Sequence, residues 1–200
     1  MSETRHPVVA DTSSLVAIAT SDHWETAREN LTITTTNICQ TELKRHQREN
    51  HQYAPDGSRE HRLHHGSKRV LQALDDDECA FSVVTVVGVP GGEDAGERSL
   101  ETELTTNPDA YRFLTLNDVQ ARDRIRRTID REDLDLRIVP PTFLLYVLFD
   151  NELLNRQEFC EGCAEMMRSE GWTNVGAVHA MWEGIPVDCS GYVDESLLPP

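Results

Sequence analysis

Lysine is almost missing from this chain. Of its 19 basic residues only Lys44 and Lys68 are lysines, set against 35 acids, and the formal net charge is −16. An acidic, lysine-poor chain of this kind points to a salt-rich cytoplasm, where dense ions screen its self-repulsion. Long apolar runs are missing as well. The longest, Phe143 to Phe149, is far too short to span a bilayer. No N-terminal segment carries the basic-then-apolar pattern of a secretion signal, and the 5 cysteines are odd in number and irregular in spacing. The expectation is therefore a cytoplasmic protein with reduced thiols and no membrane partner. Cys160-Glu161-Gly162-Cys163 is a lone CxxC on a helix; His179 and Cys189 are its distant candidate partners, and plain packing is the favoured reading. Cys39 and Cys79 read as buried thiols.

The chain does contain a regular alternation of strands and helices. Pro7 to Asp11 reads as a strand and Ser13 to Thr20 as a helix. Leu31 to Thr35 is a β-branched strand, after which Thr36 or Asn37 caps a helix carrying Cys39, Glu42, Leu43 and His46. Pro55-Asp56-Gly57-Ser58 breaks the pattern, so residues 49–65 are expected to be a loop or helical insertion, with helical periodicity returning at Gly66. Ala80 to Val87 reads as a central strand, Asp94 to Leu104 as a helix and Tyr111 to Leu116 as a strand. Asp118 then caps an arginine-rich helix, and Leu134 to Val139 is the last strand. Thr142 to Leu154 and Gln157 to Ser169 are helical, the first apolar nearly all round, as befits a core helix or one that packs on a second copy. There is no internal repeat and no clear linker. The expected fold is α/β, a three-layer α/β/α sandwich around a mainly parallel sheet, with one domain over residues 1–183 and a loosely packed tail over 184–200.

In such a sheet, ligands bind outside the carboxyl ends of the strands. Four acids fall at or near that edge: Asp11 at the end of the first strand, Glu42 in the helix after the second, Glu97 in the first turn of the next helix, and Asp118 just after the strand Phe113-Leu114-Thr115-Leu116. Asp11, Glu97 and Asp118 taken singly are ordinary helix caps or first-turn acids, and among 35 acids some fall at strand ends by chance. Brought together they repel one another unless a cation neutralises them, and hard oxygen ligands with room for water suit magnesium or manganese.

The order and context of these segments resemble the PIN-domain nucleases, a fold shared by many toxin-antitoxin ribonucleases, in a haloarchaeal form. Val8-Val9-Ala10-Asp11-Thr12-Ser13-Ser14-Leu15 is similar to the first motif of the family. Thr36 to Leu43 with Glu42 is similar to the second, Asp94 to Glu101 with its Gly96-Glu97 pair to the third, and Leu114 to Arg122 with Asp118 to the fourth. The resemblance covers roughly residues 7 to 170. It implies a divalent-metal-dependent ribonuclease in which Asp11, Glu42, Glu97 and Asp118 ligate Mg2+ or Mn2+. Thr12 or Ser13 would orient water or a phosphate oxygen. Asp94 or Glu101 is an alternative third acid, and Asn117 an auxiliary ligand. Its implied partners are RNA, a small antitoxin protein and a second copy of the chain.

Charge is uneven. Residues 36–70 hold Lys44, Arg45, Arg48, Arg59, Arg62, Lys68 and Arg69, and the helix after Asp118 adds Arg122, Arg124, Arg126 and Arg127. Lys44, Arg45 and Arg122 are the candidates for contact with a phosphate backbone. His46, His51, His61, His64 and His65 are too irregularly spaced for a metal cluster, and they fall on an expected loop. A non-catalytic nucleic-acid- or protein-binding module on the same fold is the alternative function. A phosphatase built on an Asp-x-Asp pair is excluded, because Asp11 is followed by Thr12 and Ser13.

Overall fold

The computed structural model describes residues 7–49, 53–92, 94–172 and 174–199. At its centre lies β1 (Val8–Ala10), buried throughout. Val8 and Ala10 enter one core cluster and Val9 the other, the period-two alternation of a strand covered on both faces. β2 (Ile33–Thr36) pairs on one side of β1 and β4 (Phe113–Thr115) on the other, with Val8 opposite both Ile33 and Phe113. β3 (Phe81–Val84) lies outside β2, and β5 (Arg137–Val139) outside β4; every pairing is parallel. The order β3-β2-β1-β4-β5 means that the chain steps outward from β1 to β3 and then returns to the far side of β1. That reversal opens a crevice between the carboxyl ends of β1 and β4, where open parallel sheets bind ligands.

Helices close both faces. On one, α1 (Thr12–Ala19), α2 (Trp24–Asn30), α4 (Arg59–Leu74), α7 (Phe143–Asp150), α8 (Arg156–Ser169) and α9 (Val175–Met181) pack Leu15, Ala27, Val70, Leu144, Phe159 and Val178 against Val8, Ala10 and Ile33. On the other, α5 (Ala95–Thr106) and α6 (Val119–Glu132) bring Leu100, Leu104, Ile125 and Ile129 onto Val9 and Leu114. α3 (Asn37–Glu49) leaves the end of β2 and touches α1, α4 and α5. This is the expected three-layer sandwich. α7 buries Phe143, Leu144, Leu145 and Leu148 within its own chain, so core packing accounts for its apolar sequence.

Four local expectations are corrected. The segment expected as a loop or helical insertion to residue 65 turns helical at Arg59, before the return of periodicity expected at Gly66, because the Ser58 hydroxyl accepts the His61 N–H at 3.2 Å and caps α4. His61, His64 and His65 therefore sit on a helix: His64 Nδ1 lies 2.9 Å from the Gln47 carbonyl of α3, and His61 Nε2 is 3.3 Å from Asp56. His51 lies outside the described residues. β3 is an edge strand, not a central one: Phe81 is buried, but Val83 and Val84 are half-covered and Val87 is 80% exposed. The thiols are not all reduced, since Cys160 of α8 is bonded to Cys189, while Cys39, Cys79 and Cys163 are free.

The tail expected to be loosely packed is held in place. The Trp182 indole N–H donates to the Leu197 carbonyl at 2.7 Å, and the Leu197 side chain is buried. The disulfide joins residues 29 apart, a loop whose closure restrains the unfolded chain by about 2–4 kcal/mol. Reduction with a phosphine is expected to lower the melting temperature by about 4–16 °C for a chain of this size. A melt unchanged by reductant would contradict the link.

Candidate active site

Asp11 stands at the mouth of the crevice, one residue beyond β1. Its backbone N–H still donates to the Thr115 carbonyl of β4 at 3.2 Å, which places the side chain between the two strand ends. Oδ1 accepts the Ser14 N–H at 2.7 Å and caps α1, and Oδ2 accepts the Ser13 hydroxyl at 2.6 Å. The Asn117 N–H approaches Oδ2 at 3.5 Å from the β4 side. The carboxyl is only 4% exposed. Burial pushes its pKa up, and the hydrogen bonds from Ser13 and Ser14 pull against that rise.

Glu42 comes from the second turn of α3 and is held by two elements. Its Oε2 accepts the Thr12 hydroxyl at 2.6 Å, and its Oε1 accepts the Gly96 N–H at 3.2 Å. The glycine has a physical cause. A Cβ at position 96 would stand 2.7 Å from Glu42 Oε2, so only a residue without one lets the carboxylate lie against the start of α5. Beneath this contact Ser99 donates to the Gly96 carbonyl and meets the Thr36 hydroxyl, both at 2.6 Å. Thr36 in turn accepts the Cys39 N–H at 3.2 Å, capping α3 as the sequence implied. The buried Cys39 thiol is pushed up to about 11, by burial first, with the Glu42 and Asp11 charges adding to it.

Glu97, half-buried in the first turn of α5, completes the group. Its pKa is raised by burial above all, and the negative fields of Asp11, Glu42 and Asp94 push it further. The two alternative acids have a basic partner of their own. Asp94 and Glu101 both turn to α6, where each stands 3.5 Å from the Arg124 guanidinium. Asp118 follows Asn117, whose N–H approaches Asp11. Asp118 itself is exposed, and its Oδ1 accepts the Ala121 N–H at 2.7 Å to cap α6. The charges of Asp11 and Glu42 thus bear on Glu97, while Asp118 caps α6 beside Asn117. Among the described residues no three acid, histidine or cysteine side chains form a ready-made metal cage.

The basic candidates divide in the same way. Lys44 and Arg45 are exposed on α3, Arg45 pairing with Glu49 at 3.8 Å. Arg122 is buried beside the crevice, where the Asp11 charge acts on it. Sequence reasoning missed Glu170, at the end of α8. Its carboxyl is raised by burial, lowered by Arg62 and Arg59, and raised again by Asp11. Nothing local in Arg168-Ser169-Glu170-Gly171 marks it; only the packing of α8 brings it to this edge.

A model of the halobacterial PIN domain matches residues 1–199. The chain belongs to that family. No curated protein and no solved structure matches it. PIN domains are generally nucleases, commonly bind RNA and usually use divalent metals, and the donor set of this PIN domain fits such a group. It offers hard carboxylate oxygens: burial disfavours ionisation of Asp11 and of Glu97, and the charges of Asp11 and Glu42 bear on Glu97 as well. A closed cage is not required, because Mg2+ keeps several waters and is commonly held by one or two carboxylates.

Proposed function

We propose that this PIN domain is a divalent-metal-dependent endoribonuclease that hydrolyses RNA phosphodiester bonds at the crevice beside Asp11. The observation that supports it best is the charge pattern at the crevice: burial disfavours ionisation of Asp11, and burial together with the charges of Asp11 and Glu42 disfavours that of Glu97, unless a cation is present. Asp11, Glu42 and Glu97 would hold Mg2+ or Mn2+, with Asp118 and Asn117 as auxiliary groups at the rim. When bound, the metal supplies neutralisation of phosphate oxygens and an acidified water.

The chain's own groups prepare the place. Ser13 and the Ser14 N–H fix both Asp11 oxygens, and Thr12 and the Gly96 N–H fix both Glu42 oxygens. The carboxylates are thereby oriented before anything binds, so little reorganisation is left to the reaction. Lys44 and Arg45, two and three residues beyond Glu42 on the exposed side of α3, attract the RNA backbone.

Two measurements test this. Millimolar Mn2+ is expected to raise the melting temperature of the wild type by about 2–4 °C and to leave Glu97→Gln almost unmoved. RNA cleavage at high KCl is expected with Mn2+ and not with EDTA. Cleavage that persists in EDTA would sink the proposal, and so would equal metal shifts in both proteins.

A further inference from the structure

The carboxylates do not account for a buried arginine next to them. Arg122 is 5% exposed, and its Nε and Nη2 meet no acceptor. Its carboxylate partner is Glu183, whose Oε2 stands 3.8 Å from Arg122 Nη1, beyond hydrogen-bond range. The other oxygen, Oε1, lies 3.4 Å from Arg126 Nη2, one turn further along α6. One carboxylate, itself 51% exposed, therefore bridges two guanidiniums without satisfying the buried one. A buried donor left unpaired is unfavourable, and a guanidinium fork matches the oxygens of a phosphate.

We propose that Arg122 and Arg126 form the seat for a backbone phosphate of the RNA, that Glu183 fills this seat in the free chain, and that the phosphate displaces it. The inference rests on the ribonuclease reading given above. The exchange is one anion for another, so no proton has to move. Glu183 is free to leave because half of it already faces water, and it is carried by the short connection after α9. The Arg62–Glu170 pair, at 3.7 Å, differs in this respect: its side chains are 18% and 17% exposed, which holds the acid in place.

The seat also suits the charge of the chain. A protein of net charge −16 repels RNA at a distance, and in molar salt, where the screening length is about 3 Å, exposed cations contribute little. A guanidinium shielded from solvent keeps its attraction under those conditions.

The test is the binding of a short fluorescein-labelled single-stranded RNA of mixed sequence, followed by anisotropy in molar KCl with EDTA. Glu183→Gln is expected to bind about fivefold more tightly than wild type. Asp109→Asn removes an exposed acid before the amino end of β4, away from the crevice, and is expected to bind as wild type does. Arg122→Met is expected to bind about tenfold more weakly, and adding Glu183→Gln to it should restore nothing. If Arg122→Met does not fold, Arg126→Gln, at the half-exposed end of the pair, serves as the same background. Equal binding by wild type and Glu183→Gln overturns the seat, as does an equal gain from Asp109→Asn or a gain that survives loss of the arginine. If wild type itself binds no RNA, the ribonuclease reading fails and the seat fails with it.

Discussion

Asp11→Asn is expected to lower RNA cleavage about a thousandfold and, at the same time, to make the metal-free protein harder to melt. The two effects share a cause. The carboxyl is buried, and its pKa is raised by that burial. A group whose folded pKa lies above its unfolded value contributes stability that is complete below the unfolded value and is lost as pH rises through the folded one. Metal-free wild type should therefore lose stability as pH climbs from about 4, whereas Asp11→Asn should not follow that slope and should be the more stable of the two near neutrality. The asparagine carbonyl still accepts the Ser14 N–H, so the cap of α1 is kept. Cleavage rates beside melting curves in EDTA across pH check both halves. A variant that cut RNA as fast as wild type, or melted lower at neutral pH, would contradict the role given to this carboxylate.

Gly96→Ala is expected to reduce cleavage about ten- to a hundredfold with little change in stability. The added methyl would meet Glu42 Oε2 at 2.7 Å and Oε1 at 2.9 Å. A carboxylate at the end of a flexible side chain yields more easily than a helix backbone, so Glu42 moves off the Gly96 N–H and away from Asp11. Alanine is itself the better helix former, which offsets any lost packing. Turnover measured beside thermal melts separates the site from the fold. A large drop in melting temperature with unaltered turnover would mean that Gly96 serves packing alone.

What could be read from the sequence was what neighbouring residues decide among themselves. Val8-Val9-Ala10-Asp11 declares a buried strand ending in an acid, Thr36 and Asp118 declare helix starts, and Asp94-Ala95-Gly96-Glu97 declares another, with the choice among Asp94, Glu97 and Glu101 left open. What could not be read depends on distant partners. The apolar run after Ala80 has the same pattern in an edge strand as in a central one, and only the order of the sheet distinguishes them. The first turn of α4, Arg59-Glu60-His61-Arg62, has no apolar residue to show its period, although Ser58 was in place to cap it. Asp118 was legible both as a cap and as a ligand, and in the fold its Oδ1 is engaged as the cap. Glu170, Glu183 and Cys189 reach their places only when the last third of the chain packs, and no nearby residue foretells that.

The central position of β1 also bears on how the molecule comes into being. Its first strand is completed by β4, and the Ser14 and Thr115 hydroxyls that meet at 3.1 Å are 101 residues apart in the chain. Contacts of such long sequence separation form late, after the loop between them has been closed at an entropic cost. A chain emerging from the ribosome amino end first carries Asp11 and Glu42 well before, and Glu97 shortly before, the strand that forms the other wall of the crevice. Asp11 thus gains its burial only once the second half of the sheet is in place.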